Sequence, residues 1–122
     1  MDKAIINGHF GKIITRIEMS DDTLIIRFGD GTGLKLFDDG QSCCEHRYMH
    51  TDDELSGVVG GRLYGIEVRD APDVVDEHGE DHEVQFLVVK TSKGECVVSN
   101  HNEHNGYYGG FCIVVSELNM LN

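Results

Sequence analysis

Basic residues are scarce in this sequence, and long apolar runs are missing from it. Only 10 lysines and arginines stand against 22 aspartates and glutamates in 122 residues, for a formal net charge of −12. That balance argues against a direct electrostatic grip on nucleic acid, which depends on clustered lysine and arginine. No apolar run approaches the roughly 20 residues of a membrane span. The first residues lack the apolar core of a signal peptide, so we expect a cytoplasmic protein that does not engage a membrane.

Catalytic sequence motifs are also missing. The sequence contains no nucleophile elbow, no phosphate-binding P-loop and no Gly-x-Gly-x-x-Gly fingerprint. The segment from Gly29 to Gly33 is rich in glycine, but it lies between two strand-like segments, so a hairpin turn is its natural interpretation. No catalytic residue is therefore assigned, and a non-enzymatic protein is the leading interpretation.

The four cysteines do not predict a disulfide framework. With no export signal, the thiols are expected to stay reduced. Cys43 and Cys44 are neighbours in sequence, where a disulfide would be badly strained. Cys96 and Cys112 lie in apolar segments and are interpreted as small core residues.

The pattern that is present is that of short β-strands separated by turns. Apolar and β-branched segments recur every 8–12 residues or so, which is typical of an all-β fold. We expect a single domain over residues 1–122 that is mainly β, with a β-rich α+β fold as the alternative. It would be a strongly bent antiparallel sheet or small barrel of about seven strands, with at most one short helix. The expected core residues are Ile13, Ile17, Leu24, Ile26, Leu36, Ile66, Val68, Phe86, Val88, Val97, Ile113 and Val115.

Three local signals qualify this picture. Thr51 is suited to cap a helix, with Glu54 at the capping-box position, so one short helix is expected there. Pro72 and its acidic neighbours predict a loop over about residues 70–82. Residues 117–122 are expected to form a frayed tail.

A metal site is conceivable in the segment that ends at His50. If residues 43–50 form a strand, alternation places on one face the side chains of Cys44, His46, Tyr48 and His50. Residues two apart in a strand lie roughly 7 Å from each other, and zinc accepts such nitrogen and sulfur ligands. His101 and His104 could add ligands. The plainer interpretation is a set of partly exposed polar strand residues, so we expect no cofactor, with zinc at Cys44, His46 and His50 as the alternative.

The same segment could hold a nucleophile. Cys43 or Cys44 beside a histidine could form a thiolate–imidazolium pair, with Glu45 or Asp52 orienting the ring. A small metal-binding or cysteine-dependent enzyme centred on Cys43, Cys44, His46 and His50 is therefore the alternative function.

Negative charge is concentrated between residues 67 and 83. This stretch carries one arginine, Arg69, against eight acidic residues: Glu67, Asp70, Asp73, Asp76, Glu77, Glu80, Asp81 and Glu83. Such a surface could bind a basic protein and compete for a groove that normally holds nucleic acid. A solvated loop that only keeps the protein in solution is the plainer alternative.

A second possible recognition feature surrounds Asn105 and Gly106. This dipeptide favours a tight type I′ hairpin turn. Pairing outward from it places His104 beside Tyr107, Glu103 beside Tyr108 and His101 beside Gly110. Tyrosines next to a turn suit a recognition surface, formed by His104, Asn105, Gly106, Tyr107 and Tyr108. The same hairpin could pair with a second copy, which would make the protein a structural or homo-oligomeric one.

Several short motifs resemble those of one family. They are Cys43-Cys44-Glu45 after a three-strand meander, Thr91-Ser92-Lys93-Gly94, and Asn105-Gly106-Tyr107-Tyr108. Together they resemble a family of small acidic bacteriophage and prophage proteins described only as a domain of unknown function, over roughly residues 10–117. The resemblance implies a β-rich, phage-encoded protein in the host cytoplasm, and it brings no activity or catalytic residue. The expected function is a phage accessory protein that targets a host protein with a basic surface, such as a nucleic-acid-binding or defence protein.

Overall fold

The computed structural model describes residues 1–20, 22–39, 46–70, 74–75, 81–104 and 111–119. Within these residues, one α-helix, α1 (Lys3–Asn7), and one 3₁₀-helix (Leu55–Val58) accompany nine strands. The strands are β1 (Ile14–Met19), β2 (Thr23–Phe28), β3 (Thr32–Asp38), β4 (His46–His50), β5 (Leu63–Asp70), β6 (Val74–Val75), β7 (Asp81–Thr91), β8 (Gly94–His104) and β9 (Ile113–Asn119). In the described ranges, no helix has the length and apolar character needed to cross a membrane.

The nine strands form two antiparallel sheets. The first has the strand order β1-β2-β3-β9, and the second has the order β4-β8-β7-β5, with β6 also paired to β7. The sheets meet at one corner, where Ile13 forms an isolated bridge with Arg62 and the Leu63 amide donates to the Lys12 carbonyl at 2.9 Å. The expected mainly β, antiparallel class with one short α-helix is thus confirmed. The described strands form two sheets and no closed barrel, and they number nine rather than about seven.

The N-terminal meander forms as its turn residues predict. β2 and β3 pair directly across the glycine-rich segment, with Arg27 opposite Gly33. Gly31 takes a φ of +88°, which favours glycine, and the Asp30 side chain accepts the Thr32 amide at 3.0 Å. A turn of this kind needs only local sequence, which is why it could be recognised in advance.

The core lies between the two sheets, and one strand pair enters it with the opposite face to the one expected. Seven of the expected residues are buried there: Ile17, Leu24, Ile26, Leu36, Ile66, Ile113 and Val115. Val68 is partly buried and packs against this core, and Val88 is buried as expected, although its pairing with Val97 places it on the other face of the sheet. On β7 and β8 the core side chains are Leu87, Val89, Cys96 and Val98, whereas Phe86 and Val97 lie on the outer face. Both faces of β7 are apolar, so alternation alone could not choose between them.

Ile13 is also not a core residue. Its side chain is 43% exposed, while its neighbour Ile14 is fully buried. The β1–β2 register shifts between Ile14 and Arg16, which is the signature of a β-bulge. A bulge inserts one extra residue, so the residues that face the core change at that point of the strand. A prediction based on strict alternation therefore assigns the wrong residue to the core.

The expected helix after Thr51 is a single 3₁₀ turn instead. Glu54 precedes it without a capping hydrogen bond from its side chain. The Thr51 hydroxyl donates to the Val97 carbonyl at 2.7 Å, so tertiary contact replaces the predicted cap. The α-helix of the fold is α1, whose N-terminus is capped by Asp2. Five residues are too few for a helical period to be visible in the sequence.

The loop expected over 70–82 and the tail expected over 117–122 are partly strands. Asp70 ends β5, Val74 and Val75 form β6, and β7 begins at Asp81. β9 continues to Asn119, which pairs with Thr32. Residues 71–73, 76–80 and 120–122 lie outside the described residues. Pairing with other strands makes these residues strands, although their composition is typical of a loop and of a tail. The partner of β9 is β3, and the partner of β5 and β6 is β7.

The strand pairing predicted around Asn105-Gly106 is wrong at two positions. Glu103 pairs with His46 of β4 on one side and His82 of β7 on the other, and His101 pairs with Tyr48 and Val84. A strand residue has only two lateral neighbours, and both are already given at Glu103 and at His101. Tyr108 and Gly110 themselves lie outside the described residues. β9 pairs with β3 in the other sheet.

Candidate functional site

Polar side chains gather on the outer face of the second sheet, where β4 lies beside β8. Tyr48 stands opposite His101, and His50 stands opposite Ser99. Met49 and Asn100, the alternate pair, are buried on the core side. Since successive residues of a strand point to opposite faces, the four polar residues share the face turned away from the core. The sequence-predicted common face of Tyr48 and His50 is therefore confirmed.

These side chains form a connected chain of contacts. The rings of Tyr48 and His101 stack with centroids 4.6 Å apart and planes 4° from parallel. His101 Nε2 lies 2.9 Å from Ser99 Oγ, and Ser99 Oγ donates to the His50 carbonyl at 2.9 Å. Partial burial raises the pKa of Tyr48, and the nearby Glu103 carboxylate raises it further. At neutral pH, Tyr48 therefore keeps its hydroxyl proton as a donor.

The Ser99–His101 contact has the distance of a catalytic dyad but not its proton arrangement. A serine hydroxyl has one hydrogen, and Ser99 directs it to the His50 carbonyl, which can only accept. The His101 Nε2–H must then donate to Ser99 Oγ. In nucleophilic catalysis the imidazole accepts the hydroxyl proton instead. This geometry suits recognition by hydrogen bonds rather than activation of a nucleophile.

An open cavity lies next to this cluster. It has a volume of about 140 Å³ and is lined by Thr51, Asp52, Asp53, Phe86, Val97 and Ser99. The segment after β4 forms one wall, because the Asp53 carboxylate accepts the Val97 amide at 2.7 Å and Thr51 binds the Val97 carbonyl. β4 ends at His50, and these two side chains continue its hydrogen bonding to β8. We call this cavity the Asp52–Asp53 pocket.

On the inner side of the same strands, a buried ion pair joins the two sheets. Asp38 at the end of β3 accepts from Arg47 at 2.6 Å and from the Asn100 amide group at 3.2 Å. The side chains of Asp38 and Arg47 are only 3% and 12% exposed. The Cys112 backbone amide donates to the other Asp38 oxygen at 3.0 Å. The Asp38 carboxylate at the end of β3 therefore contacts β4, β8 and the residue that precedes β9.

The residues of the possible zinc site are only partly described. Cys43 and Cys44 lie outside the described residues, and His46 is described only by its strand position in β4. His50 lies in the polar cluster, and its Nε2 is 2.9 Å from Asp52. Where the structure describes the chain, no three histidine, cysteine, aspartate or glutamate residues are grouped to hold a metal ion.

The two described cysteines differ in environment. Cys96 is buried as expected, and burial, followed by the charge of Asp53, raises the pKa of its thiol to about 11. The thiolate needed for nucleophilic attack is thus disfavoured. Cys112 is exposed, so its assignment to the core is wrong. It lies just before β9, where its backbone rather than its side chain is held by Asp38 and Asp39.

Three of the acidic residues, Asp70, Asp81 and Glu83, lie towards one end of the second sheet. Asp70, the last residue of β5, pairs with Gln85 of β7 and also accepts its amide group at 2.8 Å. The chain therefore leaves the second sheet after Asp70 of β5 and is back in it on β7, which contains Asp81 and Glu83. We call residues 70–83 the acidic excursion. Glu67 is different, because Arg69 and Lys90 lie 2.7 and 3.2 Å away and lower its pKa, Arg69 most. Asp73, Asp76, Glu77 and Glu80 lie outside the described residues.

Of the predicted recognition hairpin, only one residue is placed. His104 is the last residue of β8 and pairs with Asp81, which brings it to the same end of the sheet. Asn105, Gly106, Tyr107 and Tyr108 lie outside the described residues, so the recognition surface proposed for them stays a prediction.

A buried histidine on the first sheet was missed by sequence reasoning. His9 is 3% exposed and stacks on Phe28. Its Nδ1 is 3.1 Å from the Lys12 ammonium, which can only donate, so Nδ1 accepts and Nε2–H faces Glu117 at 3.3 Å. Glu117 is 108 residues away in the sequence, and no local pattern could have announced this contact.

Aromatic side chains are also exposed near the corner where the sheets meet. Phe10 and Tyr64 are 64% and 51% exposed, and their ring centroids are 5.9 Å apart. Tyr64 is the additional residue where the β5–β7 register shifts between Leu63 and Gly65. A bulge at that position turns its ring outward.

Comparison with known proteins places this fold in a family. No curated protein and no solved structure matches the chain. A family model described as Domain of unknown function (DUF7448) matches residues 7–114. That range contains α1 only in part but covers both sheets up to the start of β9, including the polar cluster and the Asp52–Asp53 pocket. The chain therefore belongs to the family described as Domain of unknown function (DUF7448).

Proposed function

We propose that the chain is a non-enzymatic acidic binding module that engages a basic surface on another protein. The observation that carries the proposal is the pairing of Asp70 with Gln85, which fixes the place where the acidic excursion joins the second sheet. The residues from 70 to 83 include seven carboxylates with no lysine or arginine. Asp70, Asp81 and Glu83 lie on paired strands of the second sheet, and we propose that the four carboxylates between them act together with these three as one acidic surface.

Negative charges that act as one surface affect how a partner protein approaches. A patch of one sign steers an oppositely charged partner and sets the orientation of encounter. Glu67, by contrast, is flanked by Arg69 and Lys90 and adds little net charge. We therefore assign the contact to residues 70–83, and within them chiefly to Asp70, Asp73, Asp76, Glu77, Glu80, Asp81 and Glu83.

Cys43 and Cys44, the nucleophiles considered from the sequence, lie outside the described residues, but two described side chains that could act as nucleophiles are not activated. Ser99 directs its hydroxyl hydrogen to a backbone carbonyl, and the Cys96 thiol has a raised pKa. Exposed Phe10 and Tyr64 supply the residue types that are enriched in protein interfaces. A protein fits these features better than a small anion or a nucleic acid would.

The resemblance of the sequence to phage proteins extends the proposal to the source of the protein and to the compartment in which it acts. The protein would be encoded by a bacteriophage or prophage and act in the cytoplasm of the bacterial host. A host protein whose basic groove normally holds nucleic acid, including one with a defence role, has the complementary charge. The acidic excursion would compete for that groove.

Affinity capture from host lysate tests the proposal with three baits. The first is the wild type, and the second carries Asp73→Asn, Asp76→Asn, Glu77→Gln and Glu80→Gln. The third is a matched control with four exposed substitutions elsewhere: Asp22→Asn, Asp39→Asn, Glu54→Gln and Glu95→Gln. The wild type and the control should retain the same basic protein at low ionic strength, while the excursion variant should lose it. Raising the salt concentration from about 50 to 300 mM should release it, because exposed charges are then screened.

Two results would count against the proposal. One is capture of no protein that distinguishes the excursion variant from the control. The other is a partner that binds all three baits equally and resists high salt. The purified partner should reproduce the ranking of the three proteins in a direct titration.

A further inference from the structure

The Asp52–Asp53 pocket has walls of two chemical kinds. Phe86 and Val97 provide an aromatic and an aliphatic surface, and Asp52 and Asp53 provide carboxylates. Its volume of about 140 Å³ is several times the ~30 Å³ that one water molecule occupies in the liquid. Such a pocket suits a ligand with an apolar stem and a positive end.

One oxygen of each carboxylate already has a contact, although the Asp52 side chain is 95% exposed. Asp53 Oδ2 accepts the Val97 amide at 2.7 Å, and Asp52 Oδ1 lies 2.9 Å from His50 Nε2. The second oxygen of each carboxylate accepts no hydrogen bond from another described residue. Ser99 Oγ, which donates to His50 and accepts from His101, retains one lone pair. The lining thus offers three separate single-oxygen acceptors.

Three separate acceptors match an ammonium group better than a guanidinium group. A lysine ammonium has three donors that point in different directions, whereas an arginine presents a planar fork suited to both oxygens of one carboxylate. Here neither carboxylate offers both of its oxygens. A lysine stem would also pack along Phe86 and Val97, because its methylene groups are apolar.

The surroundings are compatible with a positive ligand. Arg69 is the nearest cation by register, since it pairs with Phe86 across β5 and β7. Its guanidinium is directed to Glu67, with two hydrogen bonds of 3.0 and 2.7 Å. The pocket is also near the acidic excursion, because Phe86 is three residues from Glu83 along β7, roughly 10 Å at the usual rise of a strand.

From these contacts we infer that the Asp52–Asp53 pocket receives a lysine side chain of the basic partner. This inference rests on the proposed function, and it names one residue type that the partner must present. The ammonium would lie between Asp52, Asp53 and Ser99, and the stem would lie against Phe86 and Val97.

A titration followed by NMR tests the pocket without any partner. The probe is N-acetyl-lysine methylamide, added to the full ¹⁵N-labelled chain. We expect saturable shifts of the backbone amides of Asp53, Val97 and Ser99, with weak affinity in the millimolar range. The norleucine analogue lacks the charge and should give no saturable shift, and the arginine analogue should bind more weakly than lysine.

Substitutions then assign the shifts to the pocket. The double variant Asp52→Asn and Asp53→Asn keeps shape and hydrogen-bond acceptors but removes both charges. It should bind lysine about tenfold more weakly, as expected for the loss of charge-assisted hydrogen bonds. Asp22→Asn with Glu54→Gln is the matched control and should bind as the wild type does. Phe86→Ala should weaken lysine binding independently of charge.

The outcomes separate this inference from the proposed function. Equal shifts with lysine and norleucine, or no saturable shift at all, would overturn the lysine pocket even if the excursion captures a partner. Lysine binding that the double variant abolishes would support the pocket even if no partner depends on residues 70–83. Capture of a partner by the excursion, with a tenfold loss in the pocket variant, would support both.

Discussion

Asp38 is one of the residues that connect the two sheets. Its carboxylate is almost fully buried and accepts from Arg47, Asn100 and the Cys112 backbone. Removing the charge of one partner in a buried ion pair leaves the other charge without compensation, which costs more than the pair contributes in net terms. The substitution would take this negative charge away from a buried arginine that lies 2.6 Å from it.

We therefore expect Asp38→Asn to lower the free energy of unfolding by about 3 kcal/mol. Urea denaturation measures this directly. The adjacent substitution Asp39→Asn is the control, because Asp39 is exposed and should change stability by no more than about 0.5 kcal/mol. Equal stability of the two variants would show that the ion pair does not hold the sheets together.

The Lys12–Asp30 contact makes a prediction about pH. The Lys12 ammonium is 2.8 Å from the Asp30 carboxylate, and its hydrogen bond is the main reason why the pKa of Asp30 lies well below its usual 3.8. Hydrogen bonds from Thr32 add to the effect. Because the folded pKa is the lower one, Asp30 stabilises the fold above its unfolded pKa and loses this contribution as pH falls towards the folded value.

Lys12→Met should therefore move the titration midpoint of Asp30 upward, towards 3.8. A carboxyl ¹³C NMR titration reports the midpoint. Lys35→Met removes the same charge on β3, where Lys35 lies over Phe37 instead, and should leave Asp30 unchanged. A midpoint in the Lys12 variant within about 0.3 units of the wild type would contradict the assignment.

At the scale of elements, local signals were sufficient for strands and turns but not for their partners. Period-two alternation placed Tyr48 and His50 on one face, and glycine chemistry placed the β2–β3 turn. Nothing local indicates that Tyr48 would stack on His101 or that His50 would face Ser99, since about 50 residues separate them. The polar cluster and the pocket arise from this distant pairing, which is why the sequence did not predict them.

The β2–β3–β9 junction tests how tightly these elements pack. A Cβ added to Gly33 would lie 2.8 Å from the Ile26 carbonyl oxygen, which belongs to a paired strand and cannot move away cheaply. We expect Gly33→Ala to cost about 1–3 kcal/mol of unfolding free energy, as overpacking usually does. Gly57→Ala is the control, because its Cβ would meet nothing within 4 Å. Thermal and urea unfolding of both variants measure the difference, and equal stability would show that β2 can yield.

At the scale of the whole molecule, the fold gives a location to the charge of −12. The pairing of β5 with β7 closes residues 70–83 at their base, and β8 brings Glu103 and His104 to the same end of the second sheet. The composition revealed the excess of acid and the stretch that carries it. Only the strand pairing shows that Asp70 and residues 81–83 of this stretch belong to paired strands of one sheet.

Zero-length carbodiimide cross-linking of the protein to its captured partner tests the central claim most directly. This chemistry joins a carboxylate to a lysine only where the two are in contact, and mass spectrometry identifies both residues. The account predicts that cross-links concentrate on the carboxylates of residues 70–83 and vanish at high salt. Cross-links spread evenly over the acidic residues of both sheets, or confined to carboxylates outside residues 70–83, would contradict it.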